Sequence, residues 1–289
     1  MNKILRYFLI RLLVFTPKCW PDRFYLKSLY YVDNGKHLNL DNPTTFNEKL
    51  NWMKFHDQNP LYRTLVDKYK VKKIVEEKIG SEYVVKNYAV YNSVDEIDLD
   101  SLPDSFVLKA THDSGGVIIC KSKSSFDLQA AKKKLKRQLS IDYYWKTREW
   151  VYKDPDPKII ADEYLDDHSG HELTDYKFWC FNGEPKVMYI TNKGKNIKEN
   201  FYDIDFAPFD INHGFPRVVP EFEKPEQFEL MKELAKKLSQ GIPFVRVDFF
   251  NLNGRVYFGE FTFYDWAGLK AFVDDEWDRK LGSWINLPK

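Results

Sequence analysis

One arginine, two acidic residues and a threonine recur at alternate positions in the segment 243–262, which reads Pro-Phe-Val-Arg-Val-Asp-Phe-Phe-Asn-Leu-Asn-Gly-Arg-Val-Tyr-Phe-Gly-Glu-Phe-Thr. Apolar and polar residues alternate on both sides of an Asn-Gly pair, which predicts two antiparallel strands joined by a turn. Side chains two residues apart in a strand point to one face. Arg246 and Asp248 therefore share a face of one strand, and Glu260 and Thr262 share a face of the other.

The length of the loop decides whether these four side chains meet. A loop of two or four residues separates Asp248 from Glu260, whereas a three-residue loop, 252–254, places Arg246 opposite Glu260. Gly254 can supply the left-handed residue that usually ends a three-residue loop. We therefore predict a three-residue loop that brings all four side chains onto one face.

Two carboxylates and an arginine on one strand face suit a complex of magnesium with a nucleotide. Hard oxygen ligands hold Mg²⁺, which keeps water molecules and phosphate oxygens in its remaining positions. From the strand pattern alone, an ion pair between Arg246 and Glu260 with Asp248 in solvent is an equally good interpretation.

Three upstream segments favour the nucleotide. Lys109 ends an apolar strand and precedes Ala-Thr-His-Asp-Ser-Gly-Gly116, whose backbone N–H groups could contact phosphates, although such a sequence more often makes a plain hairpin turn. The apolar run 159–165 ends in acidic residues, as in a hinge that binds adenine through its backbone. Lys177 lies in an otherwise apolar strand, where a buried cation needs an anionic partner.

The composition excludes other classes of protein. Lys and Arg number 44 against 43 Asp and Glu, a net charge of +1, so the basic surplus typical of a nucleic-acid binder is missing. The 43% share of hydrophobic residues predicts a folded core. Three cysteines, an odd number, favour a reducing cytoplasm over a disulfide framework.

Residues 1–18 mix basic and apolar side chains. Arg11 interrupts the apolar stretch, and no small-residue cleavage site follows, which argues against a signal peptide or a membrane span. Two interpretations stay open: a helix packed on its own domain, or an amphipathic helix in peripheral contact with the inner membrane face.

The elements that position the candidate residues indicate an α+β fold. A capping box at Thr45–Glu48 opens a helical stretch that runs to Gly80, and shorter strands begin at Phe106. We expect an α-rich region at 1–80, a small lobe at 81–165 and a large lobe at 166–289. Further helices are predicted at 127–139 and 225–240, and strands at 158–165, 176–182, 186–191, 244–250 and 255–263.

Taken in order, these features resemble the ATP-grasp superfamily and, more closely, the TupA-like ATP-grasp family, which is associated with teichuronopeptide and other bacterial surface polysaccharides. The motifs that carry the resemblance are Pro43-Thr-Thr-Phe-Asn-Glu-Lys-Leu50, Asp67-Lys-Tyr69, Phe106-Val-Leu-Lys109, Arg148-Glu-Trp150, Asp175-Tyr-Lys-Phe178, Phe181-Asn-Gly183, Arg246-Val-Asp248 and Tyr257-Phe-Gly-Glu-Phe-Thr262. The resemblance implies an ATP-grasp fold, with the nucleotide between antiparallel sheets of two lobes.

The resemblance also implies roles for single residues. ATP would be held by the phosphate-binding Lys109 and Lys177, by the loop residues Ser114, Gly115 and Gly116, and by the adenine hinge of Asp162, Glu163, Tyr164 and Leu165. Asp248 and Glu260 would bind Mg²⁺, and Arg246 would stabilise developing negative charge. Thr262 stands where many ATP-grasp enzymes have asparagine, which puts a second metal ion in doubt.

Four residues are expected on the acceptor side. The family resemblance places Arg148 and Trp150 there, and His112 precedes the phosphate loop. Trp266 belongs to a set of aromatic residues that could stack on sugars, the others being Tyr143, Tyr144, Trp145, Trp150 and Tyr264.

The function expected from these features is that of a carboxylate–amine ligase. ATP would phosphorylate the carboxylate of a sugar acid or amino acid on a surface polysaccharide or its precursor, and an amine or amino acid would attack the acyl phosphate. Three alternatives stay open: a glycosyltransferase that uses an Asp-x-Asp triplet (98–100, 154–156 or 203–205), an ATP-dependent sugar kinase, and a polysaccharide-binding module without catalysis.

Overall fold

The computed structural model describes residues 12–112, 116–166, 173–192 and 197–288. Two of the predicted loop residues, Ser114 and Gly115, lie outside the described residues, as do the first eleven residues of the predicted amphipathic helix. None of the helices in the described ranges is long and apolar enough to cross a bilayer.

Helices dominate the N-terminal part: α1 (Asp22–Asn34), α2 (Phe46–His56), α3 (Pro60–Val66) and α4 (Lys70–Ile79). The predicted capping box begins α2, where the Thr45 hydroxyl accepts from the Glu48 N–H and the Glu48 carboxylate accepts from the Thr45 N–H. The predicted helical stretch is divided into three helices. Asn59 caps α3 ahead of Pro60, and Asp67 accepts from the N–H groups that begin α4.

A small antiparallel sheet follows, with the strand order β1-β4-β2-β3. Its strands are β1 (Asn87–Tyr91), β2 (Phe106–Ala110), β3 (Ile118–Cys120) and β4 (Ile159–Asp162). The helix α5 (Leu128–Leu139) packs Leu135 into the core beneath this sheet, and a short helix, α6 (Tyr144–Thr147), comes before β4. The sequence pattern did not predict β1.

The second sheet is larger, with the order β10-β9-β5-β6-β7-β8. Its strands are β5 (Asp175–Phe181), β6 (Glu184–Asn192), β7 (Lys198–Asp203), β8 (Pro208–Phe209), β9 (Phe244–Leu252) and β10 (Arg255–Thr262). The helix α7 (Phe228–Ser239) buries the predicted stripe Phe228, Met231, Leu234 and Leu238 in the large core, which is built on this second sheet. Helix α2 also contributes, since the rings of Phe46 and Trp179 lie 5.2 Å apart, and α8 (Asp275–Ser283) ends the fold.

The β9–β10 hairpin differs from the prediction in its loop. Leu252 pairs with Arg255, so the loop has two residues, and the predicted three-residue loop is wrong. Asn253 and Gly254 both have positive φ, at 51° and 80°, as two-residue hairpins with the twist of a sheet require.

A bulge in β10 restores the alignment that the loop does not give. The register is regular to Phe258, opposite Phe249, and then shifts so that Phe261 pairs with Val247 and Thr262 with Arg246. The extra residue turns Glu260 to the face that carries Arg246. The predicted shared face is therefore present, although its cause is the bulge and not the loop.

Candidate active site

Charged side chains converge on β5 and β9 of the large sheet. Lys177 lies opposite Asp248, and its Nζ is 3.2 Å from Asp248 Oδ2 and 2.8 Å from Asp175 Oδ2. Arg246 donates to both oxygens of Asp248, from Nε to Oδ1 and from Nη2 to Oδ2, each at 2.7 Å. Lys177 thus has the anionic partners that its buried position demands, and Asp248, only 3% exposed, is not in solvent.

Arg246 connects Asp248 with three further groups. Its Nη2 is 3.3 Å from Glu260 Oε1, and its Nη1 donates to Asp265 Oδ1 at 2.5 Å and to the Tyr189 hydroxyl at 3.1 Å. The side chain of Glu260 is 42% exposed, whereas Asp265 is buried. Arg246 is therefore fixed on its inner side and contacts its most accessible partner at the longest distance.

Two acidic residues of this cluster, Asp248 and Glu260, have pKa values that shift in opposite directions. Burial raises the pKa of Asp248 above its ordinary value, although Arg246 and Lys177 oppose the rise. Burial also acts to raise the pKa of Glu260, but Lys68, Arg246 and Lys177 together hold that pKa below its ordinary value. Lys68 Nζ lies 3.8 Å from Glu260 Oε2. The cations thus stabilise Glu260 as a carboxylate at the open edge of the cluster.

A second charged group lies at the small sheet. The carboxylate of Asp162 on β4 is between two lysines, with Lys109 Nζ at 3.0 Å from Oδ2 and Lys72 Nζ at 2.9 Å from Oδ1. Burial acts to raise the pKa of Asp162, but Lys109 and Lys72 hold it below its ordinary value. The predicted phosphate lysine, Lys109, is thus oriented by a residue that was predicted only as part of the hinge.

The hinge itself stays a prediction. The side chain of Asp162 faces the lysines, and Glu163 continues the strand by donating its N–H to the Lys86 carbonyl at 2.9 Å. Glu163, Tyr164 and Leu165 are half-buried residues that follow β4 directly.

His112 lies beside the predicted phosphate loop. Its Nε2 is 3.1 Å from the Ile141 carbonyl, and its ring meets Tyr143 edge-on. Together with Asp67 and Tyr152 it lines a cavity of about 150 Å³. Gly116, the last residue of the predicted loop, is buried. The predicted acceptor-side role of His112 stays a prediction.

Arg148 does not lie on an acceptor surface, and that prediction is wrong. The residue is fully buried, with Nε 2.6 Å from Asp22 Oδ1 and with Nη atoms that donate to the carbonyls of Pro17 and Trp145. Its guanidinium carbon lies 4.0 Å from the centre of the Tyr25 ring. Arg148 therefore joins the N-terminal segment to α6 and has no donor directed at a substrate.

The aromatic residues that were predicted to stack on sugars differ in exposure. Tyr144 and Tyr264 are buried, so neither offers a face to a ligand, whereas Trp266 is 38% exposed. Trp150 packs against the large core and lies beneath the guanidinium of Arg63. Of these four residues, Trp266 has the most exposed side chain, and its acceptor-side role stays a prediction.

Sequence reasoning missed five of the residues in the two charged groups: Lys68, Lys72, Asp175, Tyr189 and Asp265. Lys68 and Asp175 lie inside motifs that carry the family resemblance, so a signal for both was present. Lys72, Tyr189 and Asp265 have no local pattern, because only the tertiary fold brings them to their partners.

The donor set at the large sheet fits a magnesium ion. Within the described ranges, no three His, Cys, Asp or Glu side chains are grouped so that they could enclose a metal. Mg²⁺ does not require such a cage, since one or two carboxylates suffice when phosphates and water fill the other positions. Asp248 and Glu260 both contact Nη2 of Arg246, and their role as the two magnesium ligands stays a prediction.

The model of one family, described as TupA-like ATPgrasp, matches residues 48–286. This is the family that the sequence motifs resemble, so the predicted family and its ATP-grasp fold are confirmed. No curated protein matches the chain.

Solved structures give distant matches. A D-alanine–D-alanine ligase from Bacillus anthracis complexed with ATP is 14% identical, with a TM-score of 0.40 over 69% of this chain and 53% of the ligase. The D-alanine–D-alanine ligase from Helicobacter pylori is 13% identical, with a TM-score of 0.42 over 83% and 69%. A RimK domain ATP-grasp protein from Sphaerobacter thermophilus is 9% identical, with a TM-score of 0.43 over 77% and 67%. The match thus spans a little over half the length of the Bacillus ligase.

Proposed function

Since this chain belongs to the TupA-like ATP-grasp family, we propose that it is an ATP- and Mg²⁺-dependent carboxylate–amine ligase. The observation that carries the proposal is the convergence of Lys177, Arg246, Asp248 and Glu260 on one face of the large sheet. It combines cations for phosphate oxygens with carboxylates for a hard metal ion, which is the equipment of phosphoryl transfer.

In the first step, an oxygen of the acceptor carboxylate attacks the γ-phosphorus of ATP, and the bond from that phosphorus to the ADP oxygen breaks. Lys109 and Lys177 bind the phosphate oxygens and disperse their charge. A Mg²⁺ ion held by Asp248 and Glu260 would supply further charge neutralisation when bound. In the second step, an amine attacks the acyl phosphate, an amide forms, and inorganic phosphate leaves.

Arg246 is placed to stabilise the oxyanion of that second step. The contacts described above occupy Nε and both terminal nitrogens of Arg246, and the contact to Glu260 is the longest and the most exposed. When Glu260 turns toward a cation, one N–H of Nη2 becomes available for a substrate oxygen. The remaining contacts keep the guanidinium in position, so this N–H needs little reorganisation.

The proposed acceptor is a sugar acid or amino acid on a bacterial surface polysaccharide or its precursor, and the second substrate is an amine or amino acid. The family resemblance supports this substrate class. We place the reaction in the cytoplasm, where ATP is available, and the free thiols of Cys19, Cys120 and Cys180 fit a reducing compartment.

Peripheral contact with the inner membrane face is part of the proposal. In the sequence, Lys3, Arg6, Arg11 and Lys18 are basic, and no acidic residue precedes Asp22. Among the described residues, Phe15 is 89% exposed and Phe24 53% exposed. An apolar surface flanked by positive charge is what binds anionic lipid.

Vesicle sedimentation tests this contact. The protein should sediment with vesicles that contain phosphatidylglycerol and less with pure phosphatidylcholine. A Phe15→Ser/Phe24→Ser double variant should remain in the supernatant, while Val219→Ser, at an exposed valine elsewhere, should behave as wild type. Equal sedimentation of all three proteins would exclude this surface as the contact.

The structure gives no support to the glycosyltransferase alternative. Two of the three Asp-x-Asp triplets use their first aspartate to close a local turn. Asp98 accepts from the N–H of Asp100, and Asp203 accepts from the N–H of Asp205. Such aspartates are satisfied by their own backbone and are not directed at a ligand.

An isotope experiment separates the ligase from the kinase. The purified protein is supplied with ATP, Mg²⁺, a mixture of amino acids and uronic acids labelled with ¹⁸O in the carboxylate. A ligase transfers one ¹⁸O to inorganic phosphate, whereas a kinase leaves the phosphate on its product. The proposal fails if no ADP forms and a Lys109→Ala variant binds ATP as tightly as wild type.

A further inference from the structure

A left-handed turn connects the charged cluster with a groove on the protein surface. Asp265, Trp266, Ala267 and Gly268 form a 3₁₀ turn directly after β10. Trp266 and Ala267 have φ values of 47° and 55°, a left-handed conformation that residues other than glycine adopt at an energetic cost. Asp265 faces inward to Arg246 and Tyr189, and the next residue, Trp266, is exposed.

Helix α2 holds this turn in place from below. Lys54 Nζ donates to the Ala267 carbonyl at 2.8 Å, and Asn51 Nδ2 donates to the Gly268 carbonyl at 2.6 Å. Lys54 and Asn51 are both buried, and a Cβ at Gly268 would lie 2.9 Å from Asn51 Nδ2. A strained turn that buried polar groups over-determine is typical of a functional site. The consequence is a fixed orientation for Trp266.

The groove beside Trp266 combines an aromatic wall with a cation. It has a volume of about 650 Å³ and is lined by Trp266, Lys270, Phe272 and Val273, with Asp33 and His213 also in its wall. The Phe215 ring centre is 5.3 Å from that of Trp266, and Lys270 Nζ lies 4.2 Å from the Phe215 ring centre. In the part of the chain that the structure describes, Lys270 has no ion pair with a carboxylate. The groove thus offers aromatic faces next to one cation that is available to a ligand.

We propose that this groove binds an acidic glycan, with one sugar ring on Trp266 and the carboxylate of a uronic acid at Lys270. The C–H face of a pyranose is apolar and packs on an aromatic ring, while its hydroxyls remain at the wet rim. An anionic sugar complements Lys270, whereas a neutral sugar leaves that charge without a counter-ion. The inference rests on the proposed function and specifies its acceptor as an acidic glycan held at Trp266 and Lys270.

Glycan binding without nucleotide tests the inference. Titration calorimetry compares a tetrasaccharide of alternating glucuronic acid and N-acetylglucosamine with tetra-N-acetylchitotetraose (chitotetraose below), which is neutral and of equal length, and with free glutamate. We expect wild type to bind the acidic tetrasaccharide at least tenfold more tightly than chitotetraose, and not to bind glutamate measurably. Lys270→Gln should lower the affinity for the acidic tetrasaccharide to the level of that for chitotetraose. The affinity for chitotetraose should be the same in the variant as in wild type.

Variants at Trp266 test the stacking. Trp266→Asn keeps a residue that tolerates positive φ and should lower the affinity at least tenfold. Trp266→Phe keeps an aromatic face and should lower the affinity less than threefold, and Leu61→Ala, at an exposed apolar residue outside the groove, should bind as wild type. Unchanged binding by Trp266→Asn, or equal affinity of wild type for the acidic and neutral tetrasaccharides, overturns the inference.

The two proposals can fail separately. Binding that depends on Trp266 and Lys270, without any formation of ADP, would refute the ligase and leave the glycan groove in place. Formation of ADP, together with glycan binding that is unchanged by substitution of Trp266 or Lys270, would refute the glycan groove and leave the ligase in place.

Discussion

Gly259 packs directly against Asp248. A Cβ at Gly259 would lie 3.0 Å from the Asp248 carbonyl oxygen and 3.4 Å from the Asp248 Cβ. The contact occurs inside the bulge of β10, where Glu260 turns to the face of Arg246. The close approach of the two backbones is thus what allows both carboxylates to meet the same guanidinium.

Gly259→Ala should therefore disturb the site as well as the fold. The added methyl group overpacks the strand pair, and we expect a loss of about 1–3 kcal/mol in the free energy of unfolding, measured in urea. Mg²⁺-dependent binding of a non-hydrolysable ATP analogue should weaken, because Glu260 is displaced. Gly35→Ala is the control: Gly35, which follows α1, has a φ of 70° with open space around it, so alanine is strained there at a position far from β9 and β10 in sequence. If both variants weaken nucleotide binding equally, the bulge has no special role.

The hairpin shows how far sequence reasoning reaches. Alternation places Arg246 and Asp248 on one face, and that prediction is confirmed, but a bulge changes parity without leaving a pattern in the sequence. Its only trace is Gly259, and an isolated glycine in a strand has several meanings. The same limit explains Arg148, which lies in a family motif yet is buried by tertiary contacts with Asp22 and Tyr25.

Helices and strands were easier to predict from the sequence than the tertiary contacts between their side chains. Helix α7 and the strands β9 and β10 follow their periodicity closely, because a buried stripe or face repeats every 3.6 or two residues. The pairing of Asp162 with Lys72 depends on α4 docking beside β4, which no local pattern encodes.

Lys177→Met should destabilise the protein severely. The substitution leaves the buried carboxylates of Asp175 and Asp248 with less compensating charge, and breaking a buried pair by removing one partner costs about 3–5 kcal/mol. Chemical unfolding measures the loss. Lys73→Met is the control, since Lys73 is exposed and forms a surface pair with Glu77 on α4, so its effect should stay within about 0.5 kcal/mol. A small effect at Lys177 would mean that the cluster tolerates its own excess negative charge.

Stability should depend on pH through Asp162. The pKa of Asp162 in the folded state is lowered, so its carboxylate stabilises the fold above the unfolded value of about 3.9, and that contribution is lost as the pH falls through the folded pKa. The difference in unfolding free energy between wild type and Asp162→Asn should be constant from neutral pH to about pH 5 and shrink in more acidic solution. Asp41→Asn, at an exposed residue, should show little difference at any pH.

Asp248 should give the opposite trend. Burial raises its pKa in the folded state, so the charged form is unfavourable to folding, and wild type should gain stability relative to Asp248→Asn as the pH falls through the folded pKa. Parallel curves for the Asp162 and Asp248 variants would contradict the assignment of opposite shifts.

Asp265 should act on the reaction through Arg246. Its Oδ1 accepts from Nη1 of Arg246 and from the Tyr189 hydroxyl, so Asp265→Asn replaces an ion-paired hydrogen bond with a weaker one from the guanidinium to an uncharged carbonyl oxygen. A hydrogen bond to a charged group contributes about 1.5–3 kcal/mol, which corresponds to a fall of roughly ten- to a hundredfold in kcat if the guanidinium loses its orientation. The KM for ATP should change little, because no phosphate-binding lysine contacts Asp265. Tyr189→Phe removes the neutral partner of the same Nη1 and should lower kcat less. A rise in KM with an unchanged kcat would show that Asp265 serves nucleotide binding and that Arg246 keeps its orientation without it.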